Sequence, residues 1–332
     1  MRLLVLGGTA WLGHRIATTA LEGGDEVTCL ARGSGIPDGA ALVQADRDDP
    51  GALDAVSGPG HAWDAVIDVA RQPGHVRRAV SALEPVAEHY VFVSSCSVYA
   101  SQAEIGGDES VERLPALDAD TMASLEDYGH AKVACEDAVL AAFGPARSTI
   151  ARAGLIGGPG DPSDRTSYWP RRFAHPSTPD GTVLTPDAPD LPASIIDVRD
   201  LAAWLVRCAT DRVGGTFNVM GEALPLPEHV DVARLVAGHR GPVVRAAGSA
   251  LLEQGVNEWS GPRSLPLWLA DPDWYGMNSR SIDRALAAGL TLRPLADTLC
   301  DTLAWDDDHE HDGPRKAGLT DDEERELLAV LG

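Results

Sequence analysis

The chain has 332 residues and is 44% hydrophobic, enough to bury a full core as one large domain or two closely joined ones. Its 50 acidic against 27 basic residues give a formal net charge of -23, and no basic run interrupts it, so neither nucleic acid nor an anionic membrane is an expected partner. No apolar run approaches the roughly 20 residues that span a bilayer; the first one is too short for a signal peptide, so a cytoplasmic protein is expected.

The chain opens on Leu3-Leu4-Val5-Leu6, breaks at Gly7-Gly8-Thr9-Ala10, and resumes with Leu12, Ile16, Ala17, Ala20 and Leu21 on one helical face. That order reads as strand, tight turn, helix. Glycine at 7 permits a turn that a side chain would obstruct, and glycine at 8 or 13 permits close approach of a phosphate or a neighbouring strand. The first helical turn, through Trp11, Leu12 and Gly13, would offer free N-H groups to a pyrophosphate.

Glu26-Val27-Thr28-Cys29-Leu30 is a second predicted strand. At its end an acidic residue would select NAD through the ribose hydroxyl, whereas an arginine pairs with the 2'-phosphate of NADP. Arg32 stands there, so NADP(H) is favoured, with NAD(H) as the alternative. Ala41 to Asp46 is a third strand, and Asp46 could accept the adenine amino group. A helix over about 51–57, a strand over Ala65 to Ala70 and another over Tyr90 to Ser95 follow. Strands alternating with helices at this spacing predict an α/β fold, a doubly wound parallel Rossmann sheet that binds ligands at the carboxyl ends of its strands.

Ser94-Ser95-Cys96-Ser97-Val98-Tyr99 leaves the fifth strand at that edge. Further on, Tyr128-Gly129-His130-Ala131-Lys132 lies in a helical stretch, and residues four apart share a helix face. Only Lys132 and Lys316 are lysines, so a lysine at this spacing suggests a need for a compact ammonium rather than a planar fork. A free phenol ionises near about pH 10, and a cation held beside it favours the phenolate, bringing it toward working range as an acid/base.

The glycine loop, Ser-Ser-x-Ser-Val-Tyr and Tyr-x-x-x-Lys, in that order, resemble the extended short-chain dehydrogenase/reductase superfamily, of the NAD-dependent epimerase/dehydratase type, over about residues 1–220. The Gly-Gly-Thr-x-Trp-Leu-Gly loop is similar to a reductase-like subgroup. The resemblance implies Tyr128 as proton donor or acceptor, Lys132 on the nicotinamide ribose, and Ser95 polarising the substrate oxygen. The implied cofactor contacts are Gly7, Gly8, Thr9, Trp11, Leu12, Gly13, Arg32, Asp46, Arg47, Val69, Ala70, Ser94, Tyr128, Lys132, Gly154 and Ile156, and it also implies a homodimer.

Ser148 to Gly160 reads as a sixth strand running into a glycine-rich turn. Residues 161–190, rich in proline and aspartate, read as a lid over a small-molecule substrate, with Ser97, Tyr168 and Trp169 as candidate substrate contacts. Arg165, Arg171 and Arg172 could bind an acidic substrate. Strands over Ser194 to Val198 and Thr216 to Val219 return to the first domain, and the aromatics beyond 221 read as the core of a small cap, with a substrate pocket as the alternative. The expected division is a dinucleotide-binding domain of 1–158 with about 193–220, a substrate-binding cap of about 159–192 with 221–312, and a linker and final helix over 313–332.

Asp306 to Asp312 lacks metal-ligand spacing and reads as a solvated linker, so no metal is expected. Thr320-Asp321-Asp322-Glu323 reads as a capping box opening the last helix. The five cysteines are far apart, which suggests reduced core thiols.

The favoured function is NADP(H)-dependent reduction of a small carbonyl, or oxidation of the alcohol. A nucleotide-sugar epimerase with tightly bound NAD is the alternative, although Arg32 stands where the resemblance implies an acidic residue; a dehydratase is disfavoured, because the Asp-Glu pair that resemblance would place after the active-site hydroxyl is here Cys96 and Ser97. A noncatalytic dinucleotide- or RNA-binding protein is more remote, opposed by Tyr128, Lys132 and the net charge.

Overall fold

Leu3, Leu4, Val5 and Leu6 are each fully buried, and a strand covered on both faces needs this kind of unbroken apolar run. They form β1 (Arg2–Leu6), an interior strand of a seven-stranded parallel sheet in a computed structural model that describes residues 1–58, 60–309 and 313–332. The other strands are β2 (Glu26–Ala31), β3 (Ala41–Gln44), β4 (Ala65–Asp68), β5 (Tyr90–Ser95), β6 (Ser148–Ala153) and Gly215–Val219. Their spatial order is β3, β2, β1, β4, β5, β6, then Gly215–Val219. Leu6 pairs with Leu30 on one side and Asp68 on the other. The winding reverses between β1 and β4, and a crevice at the strand ends is expected there.

Helices cover both faces. On one, α1 (Trp11–Glu22) packs against α6 (Val198–Asp211); on the other, α3 (Pro73–Leu83) packs against α4 (Tyr128–Phe143), while α2 (Asp54–Ser57) is a single turn. Leu3 and Val5 join the core under α1 and α6, whereas Leu4 and Leu6 join the core under α3 and α4. The period-two alternation of β1 thus feeds two separate apolar layers.

A second core lies outside the sheet. It is built by α5 (Arg165–Ala174), the parallel pair Val183–Asp187 and Val243–Ala247, and helices Leu226–Val236, Leu295–Asp308 and Asp321–Leu331. The predicted lid over 161–190 is therefore largely interior. Its Thr166, Tyr168, Trp169 and Phe173 are buried along α5, a helix the sequence reading passed over because Pro170 sits inside it. The last helix is part of this core as well: Leu327 is buried in it, and Glu324 accepts from the Leu184 amide. The expected capping box at Thr320 and Glu323 is formed. Four cysteines are buried and Cys300 is exposed, all free. Among the described residues, no helix is long and apolar enough to cross a membrane.

Candidate active site

The glycine loop assigns a separate task to each glycine. Gly7 has φ +101°, and a Cβ on it would lie 2.6 Å from Val69 Cγ2. At Gly8 a Cβ would meet Cys29 of β2, and at Gly13 it would run into the Gly7 carbonyl. These contacts fold the loop tightly across the ends of β1, β2 and β4. Ala10, the N-cap of α1, makes no side-chain cap hydrogen bond, and no acidic residue stands in the first turn. The helix end therefore presents free N-H groups and positive potential to an anion.

Beside the loop lies a cavity of about 350 Å³ lined by Gly7, Thr9, Arg32, Asp46, Arg47, Val69 and Ala70, among others. Arg32 is 76% exposed and stands 3.8 Å from Asp46, a separation worth little in water. Arg47 behaves differently from its expected part as a cofactor contact. Its guanidinium is buried and forked onto Asp68 at 2.7 and 2.9 Å, with a third bond to the His75 carbonyl. Burial alone would raise the Asp68 pKa, but Arg47 and the Tyr90 hydroxyl hold it below the usual carboxylate range. Asp68 also accepts from the Ala70 amide at 2.9 Å, which shapes the exit of β4.

That exit matters because the Ala70 carbonyl is one of two partners of Lys132. The ammonium donates to Ala70 O and Val93 O, both at 2.7 Å, and the residue is 2% exposed. An ammonium has three donors, so one remains. The Nζ lies 4.8 Å from the centre of the Phe92 ring and 5.9 Å from that of Tyr128.

Tyr128 is the first residue of α4. The helix starts there because Ser124 and Asp127 form a capping box around the turn Leu125–Asp127. A Cβ at Gly129 would strike the Ser97 carbonyl, so the start of α4 is seated on the corner that leaves β5. In that corner Ser95 Oγ accepts from the Ser97 amide and donates to Ser97 Oγ, each at 3.1 Å. Glycine loop, Ser95 corner, half-buried Tyr128 and Lys132 thus stand along one edge of the sheet.

The face carrying Tyr128 and Lys132 continues one turn on to Glu136, which the sequence reading did not single out. Glu136 is fully buried and accepts from Ser94 Oγ at 2.6 Å, from Arg152 at 3.0 and 2.9 Å, and from Arg113 at 3.1 Å. Ser94, an expected cofactor contact, thus turns its hydroxyl into the interior. Arg152 also donates to the Tyr99 hydroxyl, which in turn donates to Asn218. Burial pushes the Tyr99 phenol up to about 12. It is a structural tyrosine, in contrast to the half-exposed Tyr128.

Trp11 ties the glycine loop to the 158–160 turn, donating from its indole to the Pro159 carbonyl at 3.0 Å. Leu12 packs against the core beneath α1. Gly154 lies against Met220, and Ile156 pairs with Ile196. The expected substrate contact Trp169 is fully buried and donates to the Pro266 carbonyl; Tyr168 is 4% exposed in the same core. Both pack the cap because α5 turns this face inward. Arg171 and Arg172, candidates for an acidic substrate, are matched by Asp306, and by Asp321 and Glu324, respectively. In the stretch read as a solvated linker, Asp306 also takes a forked bond from Arg315, while Glu310, His311 and Asp312 lie outside the described residues.

The model of the NAD dependent epimerase/dehydratase family matches residues 3–219. Among solved structures, UDP-N-acetylglucosamine 4-epimerase from Bacillus cereus is similar at 17% identity, with a TM-score of 0.68 over 95% of this chain and 99% of that one. WbmG from Bordetella bronchiseptica, in complex with NAD and UDP, gives 17%, 0.62, 93% and 95%. UDP-glucuronic acid 4-epimerase from Bacillus cereus, in complex with NAD, gives 14%, 0.64, 92% and 98%. At these identities the likeness is one of fold. No curated protein matches the chain.

Proposed function

The chain belongs to the NAD-dependent epimerase/dehydratase family, and on that premise we propose that it is an oxidoreductase in which Tyr128 exchanges a proton with a small-molecule carbonyl or alcohol. The observation that carries this reading is Lys132 clamped by two carbonyls, one turn along α4 from Tyr128.

The residues present fit a dinucleotide. The uncapped start of α1 would hold the pyrophosphate, Arg32 and Asp46 would meet the adenosine end, and the remaining Lys132 donor would reach a ribose hydroxyl at the other end. When bound, the nicotinamide accepts or supplies the hydride. In the reducing direction the Tyr128 hydroxyl gives its proton to the substrate oxygen as the carbonyl carbon gains that hydride; in the oxidising direction the phenolate takes the proton back. Ser95, held by the Ser97 amide, hydrogen-bonds the same oxygen. Lys132, one turn along the helix, places its positive charge 5.9 Å from the centre of the Tyr128 ring. Arg32 supports NADP(H) over NAD(H).

A nucleotide-sugar epimerase is the second reading. It uses the same tyrosine, and it is favoured by the UDP-sugar epimerases among the similar folds. It requires a dinucleotide that stays bound through the cycle, whereas the reductase exchanges it. Replacing Tyr128 with phenylalanine tests the core that both share. Tyr128→Phe should abolish NAD(P)(H)-linked turnover while keeping dinucleotide affinity, and full turnover in that variant would sink the mechanism.

A further inference from the structure

α5 begins at Arg165, and its first turn is seated against the strand exit next to the site, because a Cβ at Gly157 would strike the Thr166 side chain. Arg165 is held there in two ways. Its Nε donates to Ser163 Oγ at 3.0 Å, and its guanidinium carbon lies 5.3 Å from the centre of the Trp259 ring. Trp259 itself has φ +65°, an uncommon conformation for a bulky side chain that persists only where the surroundings impose it.

What the guanidinium lacks is a carboxylate. Arg171, Arg172 and Arg315 nearby each lie within 3.4 Å of an acidic oxygen, in a chain with 50 acidic residues. Among the described residues, none lies within ion-pair distance of Arg165, and neither terminal nitrogen has a hydrogen-bond partner there. Asp161 is linked to it through the shared Ser163 hydroxyl, without a direct ion pair. Burial lowers the Arg165 pKa, and the charges acting on it are those of Asp161 and Tyr128. The fork is thus left open at the first turn of α5, beside the strand exit that borders the site.

We propose that Arg165 is the substrate-binding cation of this site, receiving an oxyanion, carboxylate or phosphoryl, that the substrate carries near its reacting carbon. A planar fork stacked on an indole suits either group, since both accept two parallel N-H bonds. This deepens the proposed function, because it rests on the reacting carbon lying at Tyr128: the enzyme selects anionic over neutral carbonyl or alcohol substrates.

The test is isothermal titration of the full-length protein, at low salt and with or without NAD⁺. The probes are UDP-glucose, which supplies phosphoryl oxygens, D-glucuronate, which supplies a carboxylate, and neutral D-glucose. Wild type should bind at least one anionic probe and discriminate against glucose, and Arg165→Gln should weaken that binding about tenfold or more while NAD⁺ affinity and the thermal midpoint stay unchanged. Arg165→Lys should recover part of it, because charge returns without the fork. The responding probe identifies the anion class. Equal affinity in wild type and Arg165→Gln, or no binding of either anionic probe to wild type, overturns the assignment. If NAD⁺ fails to bind while Arg165→Gln still loses the probe, the oxidoreductase reading falls and the anion site stands.

Discussion

The Lys132 ammonium lies 5.9 Å from the centre of the Tyr128 ring, and its partners are the carbonyls of Ala70 and Val93. The sheet itself therefore positions the cation: β4 supplies one acceptor through the Asp68-shaped turn at Ala70, and β5 supplies the other. Arg47 contributes at one remove by fixing Asp68.

Lys132→Arg tests whether the site needs a compact ammonium. A planar fork cannot occupy a pocket defined by two carbonyls 2.7 Å from one nitrogen. Turnover should fall about 100-fold or more, the low end of what acid/base catalysis contributes, because the acid/base Tyr128 loses the ammonium beside it. Steady-state rates read the effect, and an unchanged kcat would show that charge alone suffices.

Glu136 is the keystone of the interior network behind the site. Glu136→Ala leaves the Arg152 guanidinium buried without its carboxylate, which should cost about 3–5 kcal/mol of folding stability. Urea unfolding measures it. A loss below about 1 kcal/mol would mean that Arg152 finds another partner.

The histidines set an acid limit. Burial pushes His89 and His229 down to about 4, against about 6.5 when unfolded. Both are neutral in the folded chain, and protons bind the unfolded chain more readily. Their stabilising contribution is therefore complete above pH 6.5 and is lost as pH falls toward 4, on the order of 3 kcal/mol each. The urea midpoint should drop between pH 7 and pH 5, and the drop should shrink in His229→Leu. An identical drop in that variant would remove His229 from the account.

Arg32 stands free enough to meet a ligand, since its 3.8 Å pairing with Asp46 is exposed. If it reads the 2'-phosphate, Arg32→Ala should weaken NADPH binding at least tenfold, the scale of one charge-assisted hydrogen bond, and leave NADH binding nearly unchanged. Equal losses for both nucleotides would show that it does not read the 2'-phosphate.

The parallel sheet was legible because buried strands are continuous apolar runs, as Leu3 to Leu6 and Tyr90 to Val93 are. Tyr128 and Lys132 were legible because a four-residue spacing has one meaning on a helix. Glu136 extends the same spacing by one more turn, and a glutamate within Val133 to Val139 was a readable signal of a buried partner. The Arg47–Asp68 pair was not readable, because nothing local reports a contact across 21 residues. α5 was hidden by Pro170, so the burial of Tyr168 and Trp169 was hidden with it. A proline in a helix interior removes one backbone bond and strains the turn, and tertiary packing of this strongly apolar face outweighs that penalty.

The proposed function requires a dinucleotide lying across the glycine loop and reaching Lys132. Mass spectrometry of nucleotide released on denaturing the purified protein, paired with calorimetric titration by NAD(P)(H), tests this most directly. The account predicts one dinucleotide per chain, with affinity abolished when Gly13→Ala drives a methyl into the Gly7 carbonyl. A protein that neither releases nor binds any dinucleotide would contradict it.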